Sequence, residues 1–171
     1  WPTKNRYVII FNEPNRNAEW GGKSDPEDYT NILDYAVSAF KNLNSDFFII
    51  SAGLDNGADT NFESINQYEF IRAMGSSNPD IFEKIDGISS HSYPNPGFSQ
   101  PPNVVNGKSI ASFLYESYLI KSISGKNLPI FITETGWSKN HLSDATIASY
   151  YKNALSNIWT NPNIVAITPF L

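Results

Sequence analysis

Apolar residues in this chain follow two patterns that alternate from end to end. Short unbroken runs occur at Tyr7-Val8-Ile9-Ile10-Phe11, Phe47-Phe48-Ile49-Ile50, Pro129-Ile130-Phe131-Ile132-Thr133 and Ile164-Val165-Ala166-Ile167. Each is of strand length and rich in β-branched or aromatic residues, the pattern of a strand buried on both faces. Gly87-Ile88-Ser89-Ser90-His91 reads as a further strand of weaker apolar content.

Between the runs the period changes to that of a helix. Tyr29, Ile32, Leu33, Ala36, Val37, Phe40 and Leu43 recur at helical spacing behind Asp25, a good N-cap, and Pro26 at the first helical position. A second helix is expected from Ile65 to Met74, broken by the segment Gly75 to Pro79, with a short helical turn at Asp80 to Ile85. Ile110, Phe113, Leu114 and Tyr118 place a third helix, running to about Ser122 and closed by Gly125. Ser143 caps the last, whose buried face is expected to carry Ile147, Tyr150, Tyr151, Ala154, Leu155 and Ile158. Pro96, Pro101 and Pro102 mark the stretch from Asn95 to Gly107 as an irregular loop.

Strand and helix thus alternate up to a fifth strand, which predicts a parallel sheet covered by helices. Two architectures fit. A five-stranded doubly wound sheet suits 171 residues. A (β/α)8 barrel needs about 250 residues, so this chain would supply some five of its strands. A doubly wound nucleotide binder should show a Gly-rich phosphate loop after an early strand, and neither G-x-G-x-x-G nor G-x-x-x-x-G-K-[ST] occurs.

Composition narrows the chemistry. Hydrophobic content of 40% supports a core, and 17% charged residues is too few for a disordered tail or coiled coil. A net charge of −5 argues against nucleic acid as a partner. The absence of cysteine removes disulfides, thiol catalysis and cysteine-based zinc sites, and says little about compartment. No apolar run is long enough to span a membrane, and no signal peptide is expected within these residues. The aromatic share of 14% fits a large core first, and secondarily a surface that stacks on sugars. The chain starts at Trp1 and stops at Leu171 within a strand-like run, so it is expected to be a piece of a longer protein, a single catalytic-domain fragment over 1–171.

The chemistry-bearing residues sit where the strand runs stop. The first ends at Asn12-Glu13-Pro14-Asn15, where Pro14 cannot continue the ladder. The fourth ends at Glu134-Thr135-Gly136-Trp137, and the third at His91-Ser92-Tyr93. Polar groups at the C-terminal ends of parallel strands are where barrel enzymes keep their chemistry. A lone glutamate at a strand end is usually a solvated surface group; two in register are less easily dismissed.

Asn12-Glu13-Pro14, His91-Ser92-Tyr93 and Thr133-Glu134-Thr135-Gly136-Trp137 together resemble the retaining (β/α)8-barrel glycoside hydrolases of clan A, the 4/7 superfamily. Glu-Thr-Gly-Trp resembles family 17, while Asn-Glu-Pro-Asn points to families 5 and 39. The resemblance implies an α/β fold, a partial TIM barrel covering strands 4 to 8, with strands 1 to 3 absent. It implies cellulase-like hydrolysis of a β-linked oligo- or polysaccharide, with Glu134 as nucleophile, Glu13 as acid/base, Asn12 on the sugar 2-OH and Tyr93 donating to Glu134. Retaining hydrolysis needs two carboxyl groups roughly 5–5.5 Å apart.

Trp20 and Trp137 are candidate sugar platforms or packing residues, Asn15 a candidate substrate contact, and His91 either a site residue or a core histidine. No cofactor is expected. No metal cluster is expected either, because His91 and His141 lie apart with no carboxylate spacing beside them. His141 is expected to be exposed. A complementary segment completing the barrel, or self-association through open sheet edges, is the expected partner besides the sugar. A secreted or cell-surface location is favoured for the parent. The competing readings are a carbohydrate-binding pseudoenzyme and a non-catalytic doubly wound module.

Overall fold

The structure, a computed structural model, describes residue 4 and residues 6–170. Its five strands are β1 (Arg6–Ile10), β2 (Phe47–Ser51), β3 (Ile88–His91), β4 (Ile130–Thr135) and β5 (Ile164–Pro169). The helices are α1 (Pro26–Leu43), α2 (Gln67–Ser77), α3 (Ile81–Lys84), α4 (Ser112–Ser124) and α5 (Asp144–Asn153). β1 pairs with β2, β3 with β4 and β4 with β5, all parallel. Parallel bridges from Ile50 to Gly87 and from Asp55 to His91 join β2 to β3. The strands therefore follow one another in space as they do in sequence. That order has no reversal point, the feature on which a doubly wound crevice depends, and it is the order of a barrel wall.

Alternate strand residues face the helices, as period-two geometry requires. Ile10, Phe47, Ile49, Ile88, Ile130 and Ile132 share one core with Leu33, Phe70, Ile81, Phe113 and Ile120 of the helices. On the opposite face, Tyr7, Phe48 and Phe131 form an aromatic layer, with ring centroids 4.9 Å (Tyr7–Phe48), 5.7 Å (Tyr7–Phe131) and 5.8 Å (Phe48–Phe131) apart. Gly87 makes room for it. A Cβ there would meet Phe48 and Phe131 ring carbons at 3.0 Å each. Such layers, drawn from neighbouring strands, fill barrel interiors.

Several expectations are corrected. β1 is buried on one face alone: Tyr7 and Ile9 are 49% and 44% exposed, against 7% for Ile10. β1 stands first in the sheet order, with no strand beyond it among the described residues, so its inner face is half covered. α2 is not broken at Gly75 but runs to Ser77; a Cβ at 75 would press on Ile123 at 2.9 Å, so glycine lets α2 and α4 approach. On α4 the buried positions are Ser112, Phe113, Glu116 and Ile120, not Leu114 and Tyr118, which face solvent. The last helix ends in a wider turn of π type over Ala154–Ile158, which rotates Leu155 outward and Trp159 inward. Asp25 caps α1 by accepting from Glu27 and Asp28, Ser143 caps α5, and Gly125 closes α4 in the left-handed conformation, all as the sequence predicts. No described helix is long and apolar enough to cross a membrane.

Candidate active site

The tip of β1 turns sharply. Phe11 and Glu13 both take positive φ, 68° and 43°, a region that non-glycine residues seldom occupy and that an observed outlier makes worth a functional question. The turn is held by the Glu13 amide, which donates to the Gly53 carbonyl at 3.0 Å, beyond the end of β2. The Tyr29 hydroxyl ties the same two strands from outside: it donates to the Ile10 carbonyl at 3.2 Å and accepts from the Ala52 amide at 2.7 Å.

His91, 2% exposed, projects from β3 against Gly53. On β4, the register slips between Ile132 and Thr135, so Glu134 is carried at an irregular tip. The three strand ends bring their side chains together. His91 Nδ1 lies 2.9 Å from Glu13 Oε1 and 3.7 Å from Glu134 Oε2. Tyr93 donates its hydroxyl to Glu134 Oε2 at 3.0 Å. Burial first, then this bond, raises the Tyr93 phenol far above its usual range, so it stays a neutral donor. Glu13 and Glu134 keep 18% and 26% of their side chains open to solvent, enough for a ligand to reach them.

One oxygen of each glutamate and a His91 ring nitrogen all lie within 4.8 Å of one another. These are also the donor types of a divalent-metal site. Linear spacing hides the grouping, because the three ligands come from three strands.

The remaining predicted residues divide. Asn12 is exposed beside Glu13 with no hydrogen-bond partner among the described residues, free to meet a ligand. Asn15 is fully buried, and its amide is spent on backbone: it donates to the Asp55 and Ile65 carbonyls and accepts from the Asp55 amide. It pins loops together, with no atom left for a substrate. Trp137 is 2% exposed, donates to the Gln100 carbonyl at 2.7 Å and packs on Tyr150, Tyr151 and Trp159, so it is a core ring and not a platform. Trp20 is half-buried, edge-on to Phe11 and Tyr29, with its indole donating to Asp28 at 3.2 Å; it buttresses the turn that carries Glu13. His141 is exposed, as expected.

A buried polar cluster behind β3 gave no sequence signal. Ser90 donates to Glu116 at 2.8 Å and touches Ser92, which in turn bonds Ser112 at 3.0 Å. Ser92 also accepts from the Phe113 amide at 3.3 Å. The residue just past the end of β3 thus caps the helix that follows it, and Ala111, the helix's own cap position, makes no side-chain bond. Burial pushes the Glu116 carboxyl up to about 7, against the opposing pull of Ser90, Ser112 and His91. Ser90 and Ser92 flank His91, so the cluster fixes the backbone from which the imidazole projects.

No protein-family model matches the sequence, and comparison with curated protein sequences finds no match. Solved structures do match. An endo-β-1,3-glucanase of glycoside hydrolase family 128, subgroup II, from Sorangium cellulosum superposes on 99% of this chain and 60% of its own, with TM-score 0.63 and 17% identity. A monomeric β-xylosidase from Caulobacter crescentus CB15 covers 95% of this chain and 32% of its own, with TM-score 0.64 and 18% identity. A family 39 glycoside hydrolase from the gut symbiont Bacteroides cellulosilyticus WH2 covers 86% and 29%, with TM-score 0.55 and 24% identity. The chain spans less than two thirds of each of these proteins. It has the fold of part of a (β/α)8 barrel, the fold it shares with these glycoside hydrolases.

Proposed function

We propose that this chain carries the catalytic pair of a retaining glycoside hydrolase acting on β-linked oligo- or polysaccharides. The observation that supports this most is the meeting of Glu13 and Glu134 at the tips of β1 and β4, with oxygens no more than 4.8 Å apart, near the spacing that direct carboxylate attack requires. Glu134 attacks the anomeric carbon. Glu13 protonates the leaving oxygen, and then takes a proton from the water that hydrolyses the glycosyl-enzyme. Tyr93 anchors Glu134 Oε2, leaving the other oxygen to attack. Asn12, exposed next to Glu13, meets the sugar 2-OH. Water ordered between the carboxylates is not needed, which distinguishes this geometry from the wider inverting one. The names of two of the neighbours, a β-1,3-glucanase and a β-xylosidase, support β-linked sugars as the class.

In the same reading, β1 to β5 are strands 4 to 8 of the barrel, and a complementary segment or a second copy covers the inner faces of β1 and β5. Exposure of Tyr7, Ile9 and Val165 supports that. The 171-residue chain alone is then weakly active or inactive. The test is trapping with a 2-fluoro glycoside on the completed barrel. Label on Glu134 and a product of retained anomeric configuration are the expected results. An inverted anomer, or a label elsewhere, rejects the assignment. A binding protein without turnover would take the sugar and show no label at all.

A further inference from the structure

We infer that Glu13, His91 and Glu134 form a chelating site for a borderline-soft divalent cation, zinc above all, whose occupancy excludes sugar from the same cleft. The inference rests on the geometry of three ligand atoms and not on the hydrolytic reading. Zinc takes imidazole nitrogen at about 2.0–2.1 Å and carboxylate oxygen at about 2.0–2.2 Å. Tetrahedral ligand pairs then stand roughly 3.3–3.5 Å apart. The observed separations bracket that value: 2.9 Å from His91 Nδ1 to Glu13, 3.7 Å to Glu134, and at most 4.8 Å across the triangle. Closing on a metal needs only small rotations of two glutamate side chains that are still partly open to solvent.

The donor set selects the ion. One imidazole with two carboxylates favours zinc or its transition-metal neighbours over magnesium and calcium, which prefer all-oxygen shells. Three protein ligands leave a fourth position for water. An outer support is already in place, because Tyr93 donates to the very oxygen of Glu134 that faces His91. The imidazole cannot swing away, since it is held against Gly53. Binding replaces the His91–Glu13 contact of 2.9 Å with bonds from both groups to the metal.

Titration calorimetry of the 171-residue chain with zinc chloride tests this directly, with cobalt absorption as a geometric readout. The expected result is one ion per chain, with the intense visible bands of tetrahedral cobalt. Glu134→Gln, at a partly exposed position that tolerates the change, should abolish the one-to-one binding. Tyr93→Phe should weaken it about tenfold or more, and His141→Gln should leave it unaltered. Absence of binding up to about 1 mM, a weak affinity by any scale, overturns the site. So does one-to-one binding that survives in either Glu134→Gln or Glu13→Gln. Because no activity enters the measurement, failure here leaves the glycosidase reading standing, and failure of 2-fluoro labelling leaves the metal site standing.

Discussion

Gly53 and His91 are fitted to one another: a Cβ on residue 53 would stand 2.2 Å from the His91 Cδ2 and 2.4 Å from its Nε2. No side chain is compatible with that approach, so the glycine is required by space and not by backbone conformation. Gly53→Ala should expel the imidazole or part β2 from β3, at a cost of about 1–3 kcal/mol. Urea unfolding, together with the His91 ring signals in NMR, checks both effects. An alanine variant of unchanged stability and unchanged ring shifts would mean that the strands yield easily.

Glu116 should make stability fall with pH. Its carboxyl lies near 7 in the folded chain against about 4.5 when free, so the folded state holds the proton more tightly. The contribution is fully present below the free value and is lost as pH rises through the folded one. The loss between pH 4.5 and 7.5 is on the order of 3 kcal/mol. Glu116→Gln keeps the shape and cannot ionise, so its unfolding midpoint should vary less over that interval. Parallel pH profiles for the two proteins would remove Glu116 from the account.

Tyr93→Phe removes the donor to Glu134 and nothing else of similar size. A hydrogen bond to a charged group contributes about 1.5–3 kcal/mol, which corresponds to a fall of roughly tenfold or more in the rate of 2-fluoro glycoside labelling on the completed barrel. Stability should change little, because the ring keeps its edge contact with Phe98, 4.8 Å between centroids. Equal labelling rates would show that Glu134 needs no such anchor.

Asn15→Ala should destabilise the chain by on the order of 3 kcal/mol, because it strips partners from the Asp55 amide and from two carbonyls. A substrate contact would behave in the opposite way, with stability kept and ligand affinity lost. Denaturant unfolding separates the two roles in a single measurement.

Strands and helices were legible because their signals are local. Unbroken Ile, Val and Phe runs mark the strands, and Asp25, Ser143 and Gly125 mark helix ends by their side-chain chemistry. The convergence of Glu13, His91 and Glu134 was legible only through strand tips, since each residue closes its own run. What stayed hidden depends on partners distant in sequence. Asn15 and Glu13 stand two residues apart, yet one is consumed by backbone groups near residues 55 and 65 and the other faces the cleft. Trp137 looks like a platform until three other aromatic rings close over it. Glu116 carries no signal in the sequence, because charge alone gives no hint of the serines waiting behind β3.

The residues at the cleft come from the first, third and fourth strands of the sheet, and no short segment of the chain contains two facing carboxylates. The site can exist only after distant parts of the chain have paired, which makes it a product of high contact order and the last feature to appear as the sheet assembles. It should equally be the first to dissolve when either flank frays. Hydrogen exchange at the Glu13 amide, whose bond to Gly53 spans β1 and β2, would then report the integrity of the whole cleft, and its protection should collapse before that of the β3–β4 core.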